Sequence, residues 1–100
     1  MFPEIGMVYG LYDPRTGLLR YIGFTTRELN GRLREHIVAS YFSDDTRCHQ
    51  WIRELIGCGL KPAIRLLQAN ATKQNETNWI AWFHGSGFQL TNEIVYNVQR

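Results

Sequence analysis

Residues 7–23, Met7-Val8-Tyr9-Gly10-Leu11-Tyr12-Asp13-Pro14-Arg15-Thr16-Gly17-Leu18-Leu19-Arg20-Tyr21-Ile22-Gly23, decide how the fold is read. Two apolar and aromatic runs, Met7–Tyr12 and Leu18–Phe24, flank the segment Asp13-Pro14-Arg15-Thr16-Gly17. Asp can bond its own backbone, Pro presets φ and Gly accepts a positive φ, so this segment predicts a turn and the whole stretch a β-hairpin. Each run carries a phenol near its middle, Tyr9 and Tyr21. A purely structural strand is better served there by Phe or Val, because a buried hydroxyl needs a partner.

The rest of the chain bounds what such a hairpin can belong to. One hundred residues make one domain, 1–100, with a small core. Hydrophobic residues at 44% exclude a disordered chain. No apolar run is long enough to span a membrane, and no leader pattern opens the sequence, so no membrane partner and a cytoplasmic location are expected. Two cysteines, Cys48 and Cys58, are too few for a disulfide framework, and Cys48-His49 with Cys58 has poor spacing for zinc. The net charge of +2 permits a phosphate-bearing partner without demanding one.

After the hairpin the period changes from two to 3.6. Thr25-Thr26-Arg27-Glu28 reads as a capping box. Leu29, Leu33 and Ile37 then mark the apolar stripe of a first helix ending about Ser40, with Glu28, Arg32 and His36 forming the neighbouring stripe. Gly31 inside this helix is expected to pack closely against the hairpin. Residues 41–45 read as a loop. Asp44, Asp45 or Thr46 caps a second helix with Cys48, Trp51, Ile52, Leu55 and Ile56 on its apolar face, stopped by Gly57-Cys58-Gly59. Ala63–Leu67 predicts a buried third strand. Asn70 or Thr72 opens a third helix that reaches about His84, with Glu76, Trp79, Ile80 and Phe83 on its inward stripe. A carboxylate on an apolar stripe needs a partner: an arginine, a hydrogen-bond cluster or a metal ion. The tail, 88–100, reads as a fourth strand or an extended cover. The expected fold is α/β in the α+β sense: a small, mainly antiparallel three-stranded sheet flanked by helices, in the order β-β-α-α-β-α.

Taken together, these segments resemble the GIY-YIG nuclease superfamily. The first-strand tyrosine is Tyr9, and the second strand spells Tyr21-Ile22-Gly23, followed by Thr25. The helical arginine and the histidine one turn later are matched by Arg32 and His36, and the glutamate opening a later helix by Glu76. Leu90-Thr91-Asn92 resembles a Leu-x-Asn that often follows that helix, with Asn92 read as structural. Trp51-Ile52, Leu55 and Gly59-Leu60-Lys61-Pro62 resemble the segment of one nuclease branch. The first motif departs from the family, reading Met7-Val8-Tyr9 rather than Gly-Ile-Tyr.

The resemblance implies a metal-dependent endonuclease acting on DNA phosphodiesters, with RNA not excluded. It implies one Mg²⁺ or Mn²⁺ on Glu76, Arg32 on the scissile phosphate, and Tyr9 acting as or relaying to the general base with a phenol pKa lowered by positive charge. His36 would bond a tyrosine or phosphate and could take the proton, and Tyr21 would orient water or phosphate. Arg20, Arg27 and His49 are candidate nucleic-acid contacts. Many members carry a separate recognition domain; here a homodimer or a larger partner is expected to supply target recognition. Read singly, the two tyrosines are cross-strand neighbours, Arg32 and His36 a solvated helix face, and Glu76 a dipole complement. The alternative reading of the whole is a non-catalytic nucleic-acid-binding or adaptor module on the same fold.

Overall fold

A computed structural model describes residues 3–43 and 45–93. The elements are β1 (Gly6–Tyr12), β2 (Leu19–Thr25), α1 (Leu29–Phe42), α2 (Arg47–Gly57), β3 (Ala63–Ala71) and α3 (Lys73–Gly85). This is an α+β fold in the expected order, with an antiparallel sheet whose strands run β2-β1-β3. Residues 94–100, where the sequence allowed a strand or cover, lie outside the described residues, as does Asp44.

The hairpin forms because its turn closes locally. Asp13 N–H donates to the Leu18 carbonyl, the Asp13 carbonyl accepts from Thr16 and Gly17, and Gly17 takes φ 75°. Asp13 also reaches beyond the turn. Its carboxylate, 2% exposed, accepts from Arg15 N–H and from the Arg15 guanidinium, and from the Trp51 indole of α2 at 3.1 Å. A residue read only as a turn former therefore bolts the hairpin to α2.

Side-chain alternation along β1 divides the core between the two sheet faces. Tyr9 and Leu11 pack with Leu33 of α1 and with Cys48, Trp51, Ile52 and Leu55 of α2. Val8, Ile22 and Ala71 pack against the other face, where Trp79, Ile80 and Phe83 of α3 cover them. The molecule thus has two helices on one face and one on the other.

Several local expectations need correction. Thr25 does not cap α1; it ends β2, and its hydroxyl accepts from Arg27 N–H in a short turn. Glu28 is the N-cap, accepting from Gly31 N–H. Gly31 does not face the hairpin: a Cβ there would meet only Glu28 and Arg34 side-chain atoms. Tyr41 and Phe42 belong to α1 rather than to a loop. β3 extends to Ala71 and is an edge strand, not a buried one, with Leu66 49% exposed. Asn70, a candidate helix opener, instead takes φ 51° where the β1–β3 register slips, a conformation asparagine tolerates better than most residues. Thr72 caps α3 through a reciprocal bond with Asn75, and Thr46 caps α2. Gly59, at φ 78°, closes α2, with the Leu60 N–H returning to the Leu55 carbonyl.

The Arg15 guanidinium holds the Asp13 carboxyl well below the usual carboxylate range, helped by the Trp51 indole and the Arg15 amide. Its contribution to stability is complete above the unfolded carboxylate pKa of about 4 and is lost as pH falls toward the folded value. Asp13→Ala should cost about 1–3 kcal/mol, because it strands the buried Trp51 indole N–H. It should also flatten the acid limb of the stability–pH curve below pH ~4, read by urea denaturation at several pH values.

Candidate active site

The site begins with a steric fact in the hairpin. Tyr9 pairs across the strands with Gly23. The Tyr9 ring lies so close over that glycine that a Cβ would collide with Oη, Cζ and Cε1. The glycine of the Tyr21-Ile22-Gly23 segment is needed for this close approach. With the ring laid down, Tyr9 Oη comes 2.6 Å from His36 Nε2. Both groups are buried, Tyr9 completely. The Tyr21 ring stands edge-on to the same imidazole, with centroids 5.1 Å apart. Helical spacing puts Arg32 one turn before His36 on the same face of α1, where its guanidinium pairs with Glu35 at 3.2 Å and its charge acts on the Tyr9 phenol.

Tyr21, Arg32, His36, His49 and Glu76 line one open pocket of about 410 Å³, together with Thr46, Cys48, Ile80 and residues 91–93. Glu76 comes from α3, on the other side of the sheet. It reaches the pocket because β2 is an edge strand and Glu76 sits in the first turn of α3. Tyr9 does not line the pocket; it stands behind His36. The structure therefore brings together four of the five expected catalytic side chains and sets the fifth beneath them.

The three expected nucleic-acid contacts separate. His49 lines the pocket. Arg20 does not: its Nε donates to the Gln89 carbonyl at 2.9 Å, and its guanidinium lies over the Trp51 ring. Arg27 lies on the far side of α1, paired with Glu35 at 3.1 Å.

Two framing residues exceed what the sequence suggested. Asn92 does more than fix its own backbone: Oδ1 accepts from Ile22 N–H at 3.0 Å and Nδ2 donates to the Ile22 carbonyl at 2.8 Å. Its amide thus imitates a neighbouring strand on the open edge of β2, and Thr91 caps the Arg20 carbonyl beside it. Glu93, which accepts from Arg47 N–H, adds a second carboxylate to the pocket rim. Its only sequence signal was its place directly after Asn92.

Electrostatically the site is set by burial. Tyr9 is pushed far up by desolvation and by Tyr21, and Arg32 offsets only part of this. The expectation of a lowered phenol is therefore reversed. Tyr21 is pushed up to about 12, again chiefly by burial. His36 is pulled down to about 3 by burial and by the charges of Arg32 and His49, so the imidazole is neutral at neutral pH. Burial also raises the Glu76 carboxyl, opposed by Lys73 and Arg32.

Glu76 is only half-buried and makes no ion pair with another described residue. Among the described residues no three His, Cys, Asp or Glu side chains form a metal cage. A hard cation at this site would rest on the Glu76 carboxylate, water and phosphate oxygens, a donor set that suits Mg²⁺ or Mn²⁺. Cys48 is a free buried thiol in the core, pushed up to about 11 mainly by burial, and Cys58 is free and exposed. No described helix is long and apolar enough to cross a membrane. Scans against protein-family models, curated proteins and solved structures found no match to the chain.

The folded protein disfavours His36 protonation, whereas the unfolded chain protonates a histidine near pH ~6.5. Stability from this residue is therefore full above that value and declines as pH falls below it. The His36 ring resonances should stay unshifted from pH ~7 down to pH ~4 in an NMR titration, against a midpoint near ~6.5 for a solvated histidine. A midpoint near the solvated value would show that the imidazole is not buried as described.

Proposed function

We propose that the chain is a metal-dependent endonuclease hydrolysing DNA phosphodiesters with a GIY-YIG-type site. The observation that carries this reading is the convergence of Tyr21, Arg32, His36 and Glu76, from β2, α1 and α3, on one solvent-open pocket. A solvated helix face or a dipole complement gives no reason for a guanidinium, an imidazole, a phenol and an unpaired carboxylate to meet.

Phosphodiester hydrolysis needs the phosphate held, charge stabilised, a water deprotonated and the leaving oxygen assisted. Arg32 holds the phosphate by charge-assisted hydrogen bonds, a role for which a donor-only planar group is suited. Tyr21, with its phenol protonated at neutral pH, donates to a phosphate oxygen or to the attacking water. Glu76 would hold the cation, which would supply Lewis-acid polarisation of the phosphate. His36 is neutral and so in the proton-accepting form. The 2.6 Å contact with Tyr9 Oη engages Nε2, and in the tautomer protonated there Nδ1 would be left to take a proton. Tyr9 is a positioning residue that holds the imidazole through this contact.

The test is nicking of supercoiled plasmid with Mg²⁺ or Mn²⁺. Glu76→Gln should abolish cleavage, and Arg32→Ala should lower the rate by roughly 10²–10³-fold. Tyr9→Phe should lower the maximal rate while leaving DNA affinity unchanged. Equal cleavage by the native protein and Glu76→Gln would remove the site. Salt-dependent binding by the native protein without cleavage would favour a non-catalytic binding module.

A further inference from the structure

α3 lines two different pockets. Glu76 and Ile80 reach the one described above. Asn75, Asn78, Trp79 and Trp82, roughly a quarter-turn round the helix, line another with Gln68 of β3, an open hollow of about 470 Å³. Trp82 is 64% exposed. Its ring is propped rather than loose: Phe83 stands edge-on to it with centroids 5.0 Å apart, and Phe83 is itself held by Trp79 and Phe88 at 5.9 and 4.8 Å. One exposed indole is ordinary on a protein surface. The carboxamides around this one are not.

Each of the three commits its oxygen inside the chain. Gln68 Oε1 accepts from Trp79 Nε1–H at 2.8 Å. Asn75 Oδ1 accepts from Thr72 N–H at 2.9 Å and from the Thr72 hydroxyl at 3.2 Å. Asn78 Oδ1 accepts from Gln74 Nε2 at 3.1 Å. An indole N–H and a backbone N–H can only donate, so these partners fix which end of Gln68 and of Asn75 is the oxygen. The three NH₂ groups donate to no other described residue. The pocket thus offers amide donors beside a flat aromatic face, with its carboxamide acceptors already engaged. Among the described residues no Lys or Arg lines it.

That polarity selects a ligand. A sugar, whose hydroxyls donate as well as accept, finds no open acceptor on these carboxamides. A bare phosphate finds no cation. Adenine and cytosine present an amino donor that would stay unpaired. Thymine presents a carbonyl at the corresponding place and a π-face for the indole. That face is free only when the base is out of a duplex stack. We infer that this pocket holds an unpaired thymine of a DNA strand, with the base on Trp82 and its carbonyl oxygens on the Gln68, Asn75 and Asn78 amides. Where the Glu76 side of α3 cuts, the same helix would then select DNA with single-stranded nucleotides near the scissile phosphate. This consequence rests on the nuclease reading; the binding does not.

Fluorescence anisotropy of the full chain with labelled oligothymidylate or oligodeoxycytidylate of about ten nucleotides tests it, in EDTA so that nothing is cut. A salt concentration of about 150 mM weakens phosphate contacts. Oligothymidylate should bind at least roughly fivefold more tightly. Trp82→Ala should weaken it about tenfold and leave the affinity for a blunt duplex unchanged. Gln68→Glu and Asn75→Asp keep the oxygen that accepts from Trp79 or Thr72 and replace the donor, so the thermal midpoint should hold while oligothymidylate binding falls. Thr77→Glu puts the same charge on α3 outside the pocket and should weaken it less. Equal affinity for the two oligonucleotides, native binding by Trp82→Ala, or equal weakening by Thr77→Glu overturns the inference. Plasmid nicking without thymine preference removes this pocket alone, and thymine preference without nicking removes the nuclease reading alone.

Discussion

A phenol and an imidazole buried against each other hold the geometry of this molecule's pocket in place. Neither Tyr9 Oη nor His36 Nε2 can be left unpaired between a sheet and a helix without a cost of about 1–3 kcal/mol, and each satisfies the other at 2.6 Å. The contact fixes the rotation of α1 about its axis and hence the direction of Arg32. It is possible because position 23 has no side chain where the tyrosine ring lies. One glycine, one ring and one helix rotation therefore set where the guanidinium meets the pocket.

The remaining parts solve a different problem, the open edge of β2. An edge strand presents unpaired backbone groups. Among the described residues, the Asn92 amide and Thr91 satisfy Ile22 and Arg20 on this edge. Among the described residues there is space beside this edge. Through that space Glu76 reaches from the opposite face into the company of Tyr21 and Arg32. Burial keeps the histidine neutral and the phenols protonated, and it raises the half-buried Glu76 carboxyl.

Much of this was legible in the sequence because it is local. Period two through Tyr9 and Tyr21, period 3.6 through Leu29, Leu33 and Ile37, and the stop at Gly59 each reflect neighbours within a few residues. The clustering of Tyr21, Arg32, His36 and Glu76 was inferred from the order of motifs and from shared helix faces. What stayed hidden depends on distant partners. Nothing near Asp13 announces Trp51, and nothing near Arg20 announces the Gln89 carbonyl to which its Nε donates. The direction of the Tyr9 shift was misread because a nearby positive charge is visible in sequence, whereas complete burial is not. The extension of α1 through Tyr41 and Phe42 was missed because both aromatics are exposed and continue no apolar stripe.

The central claim is that side chains from both faces of the sheet share one site. Paramagnetic broadening by Mn²⁺ in an NMR titration tests it without DNA or catalysis. Resonances of Glu76, Tyr21, Arg32 and His36 should broaden first and together, and Glu76→Gln should abolish the effect. Broadening centred elsewhere on the chain, or unchanged in Glu76→Gln, would contradict it.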